Sequence, residues 1–297
     1  MTHRDAFSGC HPAINFLYFA LVLVFTMCFL HPVSLVASLG TALAYASYLK
    51  GGRAIRSGLK ILVPMMLMAA ILNPAFNHEG VTILTYLPSG NPLTLESILR
   101  GLAGALMLAA VITWFQCYSA VMTSDKFVYL FGRIIPALSL VLSMTLRFIP
   151  KFRAQLSVVT QAQRCLGRDV SQGGVFQRIR TGITILSILI TWSLENAIET
   201  ADSMKSRGYG LPGRTAFSIY RFDRRDRGLL LWLLLWGAVV VAGWITGGLA
   251  WQYAPVMQGA LWGLWPLAVQ VAYLALCLTP ILLNRKEDRT WKQLQKE

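Results

Sequence analysis

Residues 147–214 read RFIPKFRAQLSVVTQAQRCLGRDVSQGGVFQRIRTGITILSILITWSLENAIETADSMKSRGYGLPGR. Two basic, amphipathic helical patterns lie in this stretch. The first runs to Gln163-Arg164-Cys165-Leu166-Gly167-Arg168-Asp169 and the second to Ser206-Arg207-Gly208-Tyr209-Gly210. Each finishes in a Gly with Arg close by, and hydrophobic segments flank the pair on both sides. That combination reads as a polar arm carried by a membrane-embedded chain.

Composition agrees. Of 297 residues, 55% are hydrophobic and 13% charged, with mean hydropathy +0.54. A soluble domain carries about 25% charged residues, so the deficit points to lipid-facing surface. The net charge of +14 also suits a nucleic-acid binder, but such a protein has no need of long apolar runs on both sides of its basic region. Cys10, Cys28, Cys117, Cys165 and Cys277 form no C-x-x-C pair, which argues against a disulfide framework or a zinc site. The isolated His11-Pro12 and His31-Pro32 read as segment boundaries, since Pro is tolerated at a helix start. The apolar run after Arg4 resembles a signal peptide, yet several more such runs follow, so it reads as a first span.

A membrane-crossing helix needs roughly 20 mostly apolar residues. The expected spans are Ile14–Leu30, Val33–Leu49, Ile61–Phe76, Leu99–Val121, Leu229–Ala250 and Leu261–Leu283. Between them fall a basic loop from Lys50 to Lys60, a turn-rich Asn77–Ser97 connection with Glu79 and Glu96 but no Lys or Arg, and a Trp251–Gly259 loop without charge. Two apolar pieces, Ile134–Leu146 and Ile183–Leu194, are about a dozen residues each and fall below spanning length. The expectation is an all-α membrane protein of about six transmembrane helices, with a region of amphipathic helices inserted after the fourth. Its parts are residues 1–123 (four spans), 124–228 (the arm), 229–284 (two spans) and 285–297 (a basic tail). Lys and Arg favour the cytoplasmic side. Six spans place the basic loop, the arm, the tail and both termini there; counting both short pieces gives an eight-span alternative of the same parity.

In the second pattern Ile183, Leu186, Ile190, Leu194, Ala197, Ala201 and Met204 recur at helical spacing. Glu195, Glu199 and Asp202 lie on another face. Gly208, Gly210 and Pro212-Gly213 stop the helix, and Lys205 and Arg207 sit where cations complement the helix dipole. The first pattern places Ile149, Phe152, Leu156, Val159 and Leu166 at similar spacing, with Gly167 as the stop and Pro150 as an expected break or kink. Two readings of these ends stand side by side. One is a well-capped helix whose cations serve its own C-terminus. The other is a protein-binding tip, because a planar guanidinium suits a carboxylate-lined groove.

Leu146-Arg147-Phe148-Ile149-Pro150, Ala162-Gln163-Arg164 leading to Gly167, Ala201–Gly210 and Arg214-Thr215 together resemble the transmembrane (T) component of energy-coupling factor (ECF) transporters, the CbiQ/EcfT family. The resemblance implies a non-catalytic scaffold in a bacterial or archaeal cytoplasmic membrane, within a vitamin or metal-ion importer. Its implied partners are two ABC-type ATPases, a substrate-binding S component in the membrane and the lipid bilayer, with no nucleic acid and no cofactor. It implies that Arg207, beside Ser206 and Gly208, contacts one ATPase. The first motif departs from the family pattern: aligning Gly167 puts Leu166 where an Arg is expected, leaving Arg164 and Arg168 as alternative contacts.

The chain has no G-x-x-x-x-G-K-[ST] loop and no H-E-x-x-H, so ATP hydrolysis is assigned to partners and no catalytic or metal site is expected. A lipid-linked-substrate enzyme and a stand-alone secondary transporter are the rival classes. The first lacks an acidic metal cluster. The second lacks mid-span charges and an inverted repeat.

Overall fold

The computed structural model describes residues 5–86, 92–132, 135–168, 174–211, 220–253, 255–259 and 263–294, without side chains at 52–57, 59, 61 and 136–139. In chain order the elements are α1 (Pro12–Cys28), α2 (Pro32–Phe76), β1 (Ile83–Tyr86), β2 (Pro92–Thr94), α3 (Leu95–Val121), α4 (Ser124–Gly132), α5 (Pro136–Cys165), α6 (Val175–Ser206), α7 (Arg224–Ile245), β3 (Trp251–Gln252), β4 (Gln258–Gly259) and α8 (Leu264–Leu294). The strands form two short antiparallel hairpins, β1–β2 and β3–β4. This is an all-α membrane protein. Two compact units divide it: Met1–Thr123 with Tyr220–Glu297, and Ser124–Ile219.

Among the described residues, five helical segments are long and apolar enough to cross a bilayer: Pro32–Gly51, Leu95–Val121, Val175–Ser206, Arg224–Ile245 and Leu264–Gln293. Pro12–Cys28 and Leu62–Phe76 are apolar but shorter. Four of the six expected spans therefore have full-length counterparts and two have shorter ones. The apolar piece 183–194 is not a fragment but the centre of a 32-residue helix.

Proline opens α1 and α2, where its missing N–H would be unpaired anyway. His11 Nδ1 caps α1 by accepting from Ala13 N at 3.3 Å. The expected Lys50–Lys60 loop is absent. Its backbone is helical, and Gly51 alone departs, at φ 73°. Lys and Arg are good helix formers, and Gly takes the left-handed turn without steric penalty, so the chain bends here instead of unwinding.

The core of the first unit is aromatic. Phe7, Tyr18, Phe19, Tyr45, Trp114 and Tyr273 are each almost fully buried. Phe7 meets Tyr18 edge-on with centroids 5.0 Å apart, and Tyr18 meets Trp114 at 6.0 Å. A hydroxyl cluster threads this core. Thr26 Oγ1 lies 3.0 Å from Ser38 Oγ and 2.8 Å from Tyr273 Oη, and Trp114 Nε1 donates to Ser38 Oγ at 3.0 Å. These four side chains come from α1, α2, α8 and α3 and satisfy one another where water is excluded. Gly243 packs against α8, since a Cβ there would overlap Val269. Gly247, four residues on and past the end of α7, has nothing within 4 Å of a Cβ placed there, so Gly243 alone serves this packing. Gly259 sits in β4 against Trp251 and is not part of a helix.

One end of this unit is stitched to the N-terminal segment. Buried Asn284 accepts from Ala6 N (2.8 Å) and Phe7 N (3.3 Å) through Oδ1, and its Nδ2 donates to Asp5 Oδ1 at 2.6 Å. Asp5 Oδ2 in turn accepts from Tyr45 Oη at 2.9 Å. A buried donor left unpaired costs about 1–3 kcal/mol. Asn284→Leu strands two, so it should destabilise the protein by about 2–5 kcal/mol, seen as a lower thermal midpoint in detergent. The exposed variant Lys292→Ala should leave that midpoint unchanged.

Candidate functional site

In the second unit α5 runs through Pro150 as one continuous helix. The expected break does not occur, because proline removes a single backbone bond and the turns on either side keep theirs. Phe148 stacks on Trp192 with centroids 5.7 Å apart, and Lys151 Nζ donates to Asn196 Oδ1 at 3.1 Å. Val159, Ile185 and Leu189 form a small buried cluster with Phe152 packed against it. Low α5 numbers meet high α6 numbers, so the helices cross antiparallel and their C-terminal ends leave the crossing in opposite directions. Past Asn196, α6 continues to Ser206 for about 15 Å.

The face α6 uses is not the one its main periodicity suggests. Ile183, Leu186, Ile190 and Leu194 are all more than half exposed, whereas Ile185 and Leu189 are buried against α5. In the first pattern Phe152 and Val159 face inward, while Ile149 and Leu156 are exposed.

Both C-terminal ends close in the same way. In α5, Gly167 N donates to Arg164 O (2.9 Å) and Arg168 N to Gln163 O (2.9 Å). In α6, Gly208 N donates to Lys205 O (3.0 Å) and Tyr209 N to Met204 O (3.0 Å). Gly167 and Gly208 have φ 73° and 75°. This pair of bonds around a left-handed glycine is the Schellman motif, which satisfies carbonyls the helix leaves open. The C-cap residue is Leu166 in α5 and Arg207 in α6. Two residues before the cap stand Arg164 and Lys205; two after it stand Arg168 and Tyr209.

Arg164, Arg168, Ser206 and Arg207 are all exposed. Ser206 Oγ donates back to Ser203 O at 2.9 Å, which ties it to the last turn. Leu166 is 69% exposed. Sequence spacing singled out the glycines and arginines. The alignment on Gly167 already put Leu166 opposite Arg207; what it did not pair was Arg168 with Tyr209, although the shared offset from Gly carried that signal. Asp169, Pro212-Gly213 and Arg214-Thr215 lie outside the described residues. No group of three or more His, Cys, Asp or Glu fit to hold a metal occurs among the described residues.

A family model described as CbiQ, cobalt transport protein, matches residues 10–217. That range takes in α1 to α6 with both capped ends. The chain belongs to the CbiQ family. Curated relatives carry the name energy-coupling factor transporter transmembrane protein EcfT. The one from Lacticaseibacillus paracasei is 36% identical over 110 residues, 37% of this chain and 40% of that protein. The one from Bacillus selenitireducens is 28% identical over 202 residues, 64% of this chain and 75% of that protein. A Listeria monocytogenes relative is 27% identical over 182 residues, 57% of this chain and 67% of its own. Against the first of these the family member thus aligns over less than half of the relative's length.

The two cap glycines differ in surroundings. A Cβ on Gly167 would meet nothing within 4 Å, whereas one on Gly208 would sit 3.0 Å from Leu211 Cδ1. A left-handed non-glycine residue costs roughly 1–2 kcal/mol. Gly208→Ala is therefore expected to fray its helix end more than Gly167→Ala, read as the larger gain in amide hydrogen exchange at Tyr209 than at Arg168.

Proposed function

We propose that this CbiQ-family chain is the membrane scaffold and energy-coupling subunit of an ECF-type importer. In this reading, two partner ABC-type ATPases hydrolyse ATP and dock on the capped ends of α5 and α6. A separate S component in the membrane captures a vitamin or metal ion. The observation that carries the reading is the pair of identical backbone caps, each at the end of a crossing helix and each presenting exposed cations. A rigid helix tip can pass a partner's motion to the element it is built on, and the Phe148–Trp192 and Val159–Leu189 contacts make the two helices one lever.

Charge supports the orientation. The first unit gathers its basic side chains at the end where Asn284 holds the N-terminal segment: Lys50, Arg224, Arg225, Arg227, Arg285, Lys286, Arg289 and Lys292. There Arg225 pairs with Glu287 at 3.7 Å and His11 N donates to Asp226. Near β1–β2, Arg100 is paired with Glu79 at 3.3 Å. The positive-inside rule assigns the basic end, and with it both termini, to the cytoplasm.

Arg207 is the residue on which the second dock depends most. A hydrogen bond to a charged group contributes about 1.5–3 kcal/mol, and reversal of the charge adds repulsion. Arg207→Glu is expected to lower the ATPase recovered with the purified chain by at least about tenfold and to abolish ATP-driven uptake. Unchanged recovery and uptake would remove Arg207 from the site.

Cys165 allows a direct footprint. It is exposed one residue before the Leu166 cap, whereas Cys10, Cys117 and Cys277 are buried. Burial pushes the Cys10 thiol up to about 11, which keeps it protonated and slow toward electrophiles at neutral pH. In a Cys28→Ser background, maleimide labelling should concentrate at Cys165 and slow at least tenfold when the ATPases are bound.

A further inference from the structure

α8 is longer than a bilayer is thick. Its 31 residues rise about 45 Å, and the hydrocarbon core takes about 30 Å of that. With residues 264–283 filling the core, the chain from Asn284 onward stands in the headgroup layer and beyond it. Asn284 fixes how the helix is turned at this level. It is buried, and its bonds to Ala6 N, Phe7 N and Asp5 Oδ1 hold it against the N-terminal segment.

One face of α8 stays open. Leu267, Val271, Leu274 and Leu282 are exposed, four, three and eight residues apart, with half-buried Leu278 between the last two. Ala272, Tyr273, Leu276 and Cys277 are buried on the opposite side. The same helical spacing carries on past the core. Three residues after Leu282 stands Arg285, and four after that Arg289, both exposed. An open apolar row thus turns cationic where headgroups begin. The acids of this turn face elsewhere: Glu287 pairs with Arg225 of α7 at 3.7 Å, and Asp288 accepts from Tyr48 Oη of α2 at 3.2 Å.

Depth and rotation decide which cations belong to the row. A headgroup layer is about 5–8 Å thick. Counted from Leu283 at 1.5 Å per residue, Arg285 stands about 3 Å above the hydrocarbon and Arg289 about 9 Å, within reach of a side chain that bends back. Lys292, at about 13 Å, stands in water. Lys286 is exposed but lies about 100° around the helix from Arg285.

An inorganic anion or an acidic protein would meet the two guanidiniums and leave the apolar row bare. A phospholipid carries its phosphate and its acyl chains along the bilayer normal in the order α8 presents. A net-negative headgroup also draws on the cations more strongly than a zwitterionic one, whose own ammonium competes with them. We infer that this face of α8 is a binding site for an anionic phospholipid. Arg285 and Arg289 hold the headgroup phosphate, and the acyl chains lie along Val271, Leu274 and Leu282. The inference needs only that α8 cross the bilayer, for which it is long and apolar enough, and makes no use of what docks on α5 and α6.

The test uses the full purified chain in micelles of uncharged detergent, titrated with dioleoyl phosphatidylglycerol or dioleoyl phosphatidylcholine, with retained lipid counted by native mass spectrometry. Wild type should bind phosphatidylglycerol about tenfold or more tighter than phosphatidylcholine. Arg285→Gln combined with Arg289→Gln should remove that preference with the elution profile unchanged, whereas Lys286→Gln should keep it. Inorganic phosphate at the same concentration should not displace the lipid. Equal binding of both lipids by wild type overturns the inference before any variant is made. A preference that survives the double variant overturns it too, as does one that Lys286→Gln removes equally, since the cations then act as a diffuse field. Displacement by phosphate makes this an ion site and not a lipid site. None of these outcomes bears on ATPase docking, which is read separately from Arg207.

Discussion

A hydroxyl in hydrocarbon has no water to turn to, and the membrane unit is arranged around that fact. Thr26, Ser38, Trp114 and Tyr273 close their polar atoms on one another, and each comes from a different helix. The four helices can therefore satisfy the cluster only in one relative placement. Ordinary hydrophobic packing is permissive, because apolar side chains slide past one another at modest penalty. A shared hydroxyl knot is not permissive, since any slip leaves a buried donor or acceptor alone. Aromatic edges fill the space around the knot, and Asn284 repeats the device at the basic end by holding the N-terminal segment.

The arm obeys a different constraint. Its helices meet over a small apolar contact, and each is finished at its C-terminal end from within. The left-handed glycines at 167 and 208 do this with backbone bonds alone. Backbone groups alone make these bonds, so the cap places no demand on the side chains of Leu166 and Arg207. The two tips are thus built to one plan, while their outward chemistry is set independently by Leu166 and Arg207.

Fold class and most of the spans were legible because hydropathy and spanning length are sums over many residues and tolerate local error. What failed to read through were decisions made by neighbours. Residues Lys50–Lys60 look like a loop by charge, but charge does not forbid a helix, and a single glycine supplies the bend. Pro150 reads as a break or a kink, and α5 runs on through it as one 30-residue helix. On α6 the apolar residues occupy two faces, so periodicity alone cannot tell which of them meets α5. At the candidate site the glycines and arginines stood out by spacing. The equivalence of Leu166 with Arg207 became structural only once the cap bonds put both at the same place.

The uncovered face of α6 has a consequence for how such a chain lives in the cell. Phe176 is 91% exposed, and Ile183, Leu186, Ile190 and Leu194 continue the same open surface. A solitary soluble protein seldom leaves so long an apolar strip in water. Since α6 is also long and apolar enough to cross a bilayer, this strip calls for lipid or a companion subunit against it, and α6 packs on α5 with its other face only.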